Sequence, residues 1–291
     1  MIDITHRLIA TSRPLLATAL GVVSLGALAA FAAPAPHQES GDDGPSIDVK
    51  VATDLVPKVD RLLATQGGQE RVEALVGFDF VFTDIDVEAP LEEGGEAREI
   101  PGEPIRMSIG LNPTDRRVRM AQTLRSGDNT QELVRIAASD GMGVFIDGES
   151  RSSDQLAAEA RDIALQVLVV LDLQWGLLNG QVSATDDGAR TRDGVEYDSV
   201  RVLFPESRGM QDPFRIYMDR ETGLVRRADQ YSALTSRRRA TLFFESWAVV
   251  DGLHLPQRVS FFDRDRQLER IWTFEGFEVD PEWSEDHFSI D

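Results

Sequence analysis

Short runs in which apolar and polar residues alternate with a period of two, separated by turn residues and interrupted by one long helical stretch, leave this chain few folds to adopt. Val76, Phe78, Phe80 and Phe82 form the first such run. Ile105, Met107, Ile109 and Leu111 form the next, after an acidic loop from Glu88 to Glu103. Val118, Met120 and Leu124 continue the pattern, followed by Leu133 to Ala137 and Gly143 to Ile146. Later runs span Val195 to Phe204, Phe214 to Asp219, Leu224 to Tyr231, Ala240 to Val250, His254 to Phe262 and Leu268 to Phe277. Between these runs stand Asp147-Gly148, Asp193-Gly194, Glu221-Thr222-Gly223, Asp251-Gly252 and the polar stretch Asp263 to Arg266, all good turn formers. The pattern predicts an antiparallel meander with one greasy face, about five strands before the helix and about six after it.

The helical stretch starts at Ser153 or Asp154, either of which can cap it. It runs to about Leu178, with Asn179-Gly180 as the stop. Gln155, Glu159, Asp162 and Gln166 line one polar stripe, whereas Val167 to Leu171 is apolar all round and calls for cover on several sides. A shorter amphipathic helix is predicted from Thr53 to Gln66. Leu55, Val56, Val59, Leu62 and Leu63 share its face, Thr53 or Asp54 caps it and Gly67-Gly68 ends it. A further helical turn follows over Gln69 to Leu75. An α+β fold results, in which a strongly curved antiparallel sheet, an open half-barrel, has helices on its concave face. Two small β domains joined by the long helix are the competing arrangement.

The first 32 residues read as a secretory signal: His6, Arg7 and Arg13 lead, Pro14 to Phe31 is apolar, and Ala30-Phe31-Ala32 suits signal peptidase. The same apolar stretch, about 18 residues, is just long enough for an uncleaved anchor in the inner membrane. Residues 33–52 read as a linker rich in Pro, Gly, Asp and Ser, and 53–291 as the β domain. Cleavage would leave the domain in the periplasm or outside the cell.

Fifty acidic against thirty basic residues, a net charge of -20, exclude nucleic acid as a natural partner. With no cysteine, disulfides, thiolate metal sites, thiol nucleophiles and a lipid-anchored N-terminus are excluded too. His37, His254 and His287 are too scattered for a histidine metal cluster. Pairs such as Asp186-Asp187 and Glu282 with Glu285 are expected by chance in so acidic a chain. No nucleophile elbow, phosphate loop or dinucleotide fingerprint occurs, so neither a catalytic residue nor a cofactor is assigned. Arg237-Arg238-Arg239 is either an anion contact or a solvated loop balancing nearby acids.

What remains is apolar surface. Phe78, Phe80, Phe82, Met107, Ile109, Met120, Phe214, Ile216 and Met218 on the strands, with Leu168 on the long helix, are the candidate lining of an apolar cavity. Methionine and phenylalanine suit adaptable pockets, and on spacing alone the same residues suit an ordinary core.

The order of these elements, with Asp193-Gly194-Val195-Glu196-Tyr197, then Phe214 to Val225 with its Asp219-Arg220-Glu221-Thr222-Gly223 turn, then Val250-Asp251-Gly252-Leu253-His254-Leu255-Pro256, resembles the LolA-like superfamily. That superfamily includes periplasmic lipoprotein carriers and related sensor domains. Glu285 to Ser289 is similar to its C-terminal ending. The acidic insertion near Glu88 to Glu103 and the greater length depart from the carriers, and no residue here matches the carriers' functional arginine. The resemblance implies a half-barrel around an apolar cavity. Three functions follow in order: a module binding a lipid acyl chain or lipoprotein, a sensor or interaction domain with an envelope protein as partner, and an enzyme.

Overall fold

A computed structural model describes residues 55–89, 97–111, 116–126, 129–138, 141–205 and 212–290. Its strands are β1 Gly77–Glu88, β2 Arg98–Pro101, β3 Ile105–Gly110, β4 Arg117–Ser126, β5 Asn129–Ala138, β6 Gly141–Ile146 and β7 Glu149–Ser150. After the long helix come β8 Ser183–Arg192, β9 Val195–Leu203, β10 Phe214–Met218, β11 Val225–Tyr231, β12 Arg238–Val250, β13 Leu253–Phe262 and β14 Leu268–Val279. The helices are α1 Val56–Thr65, α2 Gln69–Glu73, α3 Asp154–Asp172 and α4 Trp175–Leu178.

All the strands join one antiparallel sheet in the order β7-β6-β5-β4-β3-β1-β14-β13-β12-β11-β10-β9-β8, with β2 added to the far end of β1. The sheet is not closed into a barrel, and the fold is a half-barrel-like α+β architecture with helices on the concave face. Each half is a meander. They meet where the last strand pairs with the first, β14 against β1, and α3 carries the chain from one outer edge to the other.

The turns follow from their residues. Asp147-Gly148, Asp193-Gly194 and Asp251-Gly252 all take two consecutive positive φ angles, 52° and 78°, 51° and 81°, 48° and 80°, as the tightest right-twisted hairpins require. At the β10–β11 turn, Asp219 Oδ1 accepts from the backbone of Glu221 and Thr222 and from the Thr222 hydroxyl, at 2.8–3.0 Å. Gly223 there, at φ 74°, has α1 pressed against it: a Cβ would lie 2.6 Å from the Leu62 nitrogen.

The structure differs from the sequence expectations in local ways. Among the described residues there are seven strands on either side of the long helix rather than five and six. The polar edge strand β8, with its register shift between Asp186 and Ala189, has no apolar alternation to announce it. Part of the acidic loop is strand β2, pinned by its ladder to β1; residues 90–96 lie outside the described set. The long helix ends at Asp172, and α4 follows after a break at Leu173 and Gln174. Val76 precedes β1 and is exposed. In α1 the buried face carries Lys58, while Val56 is exposed, because acidic partners from the sheet reach under the helix. No side chain caps α1 at Leu55; Thr53 and Asp54 lie outside the described residues.

Candidate functional site

Strand register arranges the concave face in cross-strand rows. Phe80, Met107 and Met120 face one another directly on β1, β3 and β4, and Phe78 stands opposite Ile109 in the next row. Phe82 is opposite Ile105. These six predicted residues therefore form one contiguous patch, all between 0% and 2% exposed. Trp175 of α4 packs on Phe78, with ring centroids 5.7 Å apart. Phe274 and Phe277 of β14 extend the patch from Phe80 at 5.6 and 5.3 Å.

Phe214, Ile216 and Met218 lie on the same face and are equally buried, but β14, β13, β12 and β11 stand between them and β1. All nine predicted strand residues nevertheless belong to one continuous buried apolar core. Leu168, the predicted residue on α3, is half-buried and packs at the margin of the core.

The two covering helices are attached differently. Lys58 of α1 donates to Asp186 Oδ1 at 2.6 Å and stands 3.9 Å from Asp198, which also pairs closely with Arg61. Burial of Asp186 works against its ionised form, but the hydrogen bonds from Lys58 and Gly188 outweigh it and hold the carboxyl below its usual range. Thr65 Oγ1 donates to the Thr222 carbonyl at 2.6 Å. Gln66 brackets the His254 backbone, accepting at 2.8 Å and donating at 3.1 Å.

For α3, Ser153 Oγ caps the N-terminus by accepting from Leu156. Ala160, Ile163, Ala164 and Val167 are buried below it, and the packing is on β5 and β6. At its C-terminal end Asp172, 1% exposed, takes a 2.5 Å ion pair from Arg116 beside β4. Just beyond, Gln174 donates to the His254 carbonyl at 3.2 Å. Asp172 and Gln174 thus tie the helix where it ends.

Two charged groups on this face escaped the sequence reading. Arg135 of β5 is buried opposite Met120 and Val144. At the rim, burial lifts the Asp84 carboxyl to about 6, against the opposing pull of Arg270. Asp84 accepts from Trp272 Nε1 at 2.9 Å and forms an ion pair with Arg270 at 3.2 Å. The signal for both was parity: Asp84 is two residues from Phe82, and Arg135 lies between Leu133 and Ala137.

The opposite face is crossed by the C-terminal segment. Trp283 Nε1 donates to Asp79 at 3.0 Å, His287 Nε2 meets Ser108 Oγ at 2.9 Å, and Ile290 reaches Gly141 and Gly143. A cleft of about 710 Å³ lies beside it, lined by Asp79, Arg106, Glu278, Asp280 and His287 among others. Burial and the nearby Arg119 push the His287 imidazole below its ordinary value. Asp186 and Asp187 are occupied by Lys58 and by Arg215 with Arg190. Among the described residues no group of three or more His, Asp or Glu side chains could hold a metal ion, and no helix is long and apolar enough to cross a membrane.

No protein-family model matches the chain, and no curated protein does. Solved structures to which it is similar include a LolA superfamily protein from Nitrosomonas europaea, at 12% identity over 82% of this chain and 97% of that one, TM-score 0.47. A DUF1329 family protein from Desulfovibrio piger shares 12% identity over 81% of this chain and 97% of the other, TM-score 0.46. An outer membrane lipoprotein-sorting protein domain from Vibrio parahaemolyticus shares 7% over 81% and 95%, TM-score 0.41.

Proposed function

We propose that this chain is an exported lipid-binding module, which holds acyl chains of a lipid or lipoprotein against the concave apolar face with α3 as its lid. The observation that supports this best is the unequal attachment of α3. Its C-terminal end is tied through Asp172 and the adjoining Gln174, while Ala160, Ile163, Ala164 and Val167 pack above β5 and β6 and Leu168 is left half-exposed. A helix held this way can swing about its C-terminal end and exchange its own apolar contacts for those of a chain. Phenylalanine and methionine beneath it repack at low cost. Passing the bound chain to an acceptor would make the module a carrier in lipoprotein sorting.

Native mass spectrometry of the purified exported protein, with lipid extraction, is expected to show a bound lipid. Added lipid should raise the unfolding midpoint of wild type, since a ligand that binds only the folded state stabilises it by mass action. An identical midpoint with and without lipid, in wild type and Leu168→Ala alike, rules the reading out. N-terminal sequencing of the exported fraction is expected to start near Ala33; intact Met1 in a membrane pellet would instead make it an anchored protein.

A further inference from the structure

Arg135 is a cation set into the middle of an apolar face. On β5 it alternates with Leu133 and Ala137, and its cross-strand neighbours are Met120 and Val144. The residue is 4% exposed. One guanidinium nitrogen, Nη2, donates to Gln122 Oε1 at 3.2 Å, and the buried Nε has no hydrogen-bond partner among the described residues. Among the described residues no carboxylate comes within ion-pair distance; Glu159 on α3 favours its charge from farther away, and burial still holds its pKa below the ordinary arginine value.

Such a residue is poorly explained by stability. A buried, uncompensated charge is costly, and a leucine of similar volume would pack here without that penalty. A guanidinium is, however, the side chain best shaped to grip a carboxylate or phosphate through two parallel hydrogen bonds.

Its place in the register says what could be attached to that anion. Arg135, Met120, Met107 and Phe80 form one straight row over β5, β4, β3 and β1. At about 4.8 Å between strands the row runs roughly 14 Å from cation to ring, all of it apolar past the arginine. Both methionines can shift to admit a chain.

Resting on the acyl-binding reading above, we propose that Arg135 is the headgroup anchor of the concave face. It takes the anionic end of a single acyl chain, carboxylate or phosphate, while the tail lies along Met120, Met107 and Phe80. Specificity then comes from the charged end, and the apolar row contributes affinity for any chain of suitable length.

Displacement of the neutral fluorophore N-phenylnaphthylamine from the full mature protein tests this, with palmitic acid, hexadecyl phosphate and uncharged hexadecanol as competitors. Wild type is expected to prefer at least one of the two anions to hexadecanol by about tenfold or more, as a charge-assisted hydrogen bond would give. Which anion is preferred distinguishes a fatty acid from a phosphate-headed lipid. Arg135→Leu should abolish the preference while leaving hexadecanol binding unchanged. Gln122→Glu, which supplies the guanidinium with an internal carboxylate, should weaken the anions by a similar factor and guards against a folding defect in the first variant. Equal binding of all three competitors by wild type, or a preference that survives in both variants, overturns the anchor while the acyl-binding function stands. Failure of wild type to bind fluorophore or any chain overturns both.

Discussion

The two halves of the sheet are roofed by helices of opposite character. Over the C-terminal half, α1 is fastened along its length by Lys58, Arg61, Thr65 and Gln66 to four different segments of the sheet. Over the N-terminal half, α3 lies on β5 and β6 through small and branched apolar residues, with Asp172 pinned at one end. Directional bonds fix a helix in one position, whereas apolar contacts are non-directional and are easily replaced by those of a ligand. The comparison marks α1 as part of the frame and α3 as the element able to move.

The most damaging way to test that contrast is to cut the pin. Arg116→Ala removes the ion pair that Arg116 makes with the buried Asp172 and is expected to destabilise the fold by about 3 to 5 kcal/mol, read from urea unfolding. Far less loss would mean that α3 is not hinged there.

Next in size is a matched pair of truncations. Leu62→Ala, at a fully buried position of α1, should cost about 2 to 5 kcal/mol. Leu168→Ala on half-buried α3 should cost less than about 2 kcal/mol, since part of its surface is already in water. Equal losses in the two variants would erase the distinction between frame and lid.

The seam between the halves supplies a pH dependence. In the folded state the Asp84 carboxyl titrates at about 6, above its ordinary 3.8, so the fold binds that proton more tightly than the unfolded chain does. The stability it contributes is fully present below about pH 4 and is lost as pH rises through about 6. Asp84→Asn is expected to flatten stability between those values, measured as unfolding free energy against pH. A variant whose profile matches wild type would mean that other groups set that slope.

The smallest effect is expected at the surface. Arg220 pairs with Glu196 at an exposed position beside the α1 clamp, and Glu196→Gln should change stability by no more than about 1 kcal/mol, fading in salt. A larger loss would extend the α1 frame out to that pair.

Much of the framework was readable in advance. Phe78, Phe80 and Phe82 announced a strand with one buried face, and three Asp-Gly pairs announced hairpins, because side-chain parity and left-handed turn conformations are local properties. Strand β8 was not readable, since Ser183 to Arg192 carries no apolar repeat and is held by its ladder to β9. Nor was the role of Lys58 readable. A lysine on a helix reads as solvated until two aspartates from strands far along the chain are found beneath it.

Period, turn chemistry and charge, all local, therefore determined that the chain forms an antiparallel sheet with one apolar face, a long helix in the middle and an acidic exterior. Register and closure needed the tertiary structure. Pairing β14 with β1 joins two meanders into one sheet, with Phe214, Ile216 and Met218 four strands away from the Phe80 row in the same core, and the β3–β4–β5 registers set Arg135 in line with Met120 and Met107. Each of these relations links residues distant in sequence, and a one-residue slip in a strand would turn its side chains to the other face.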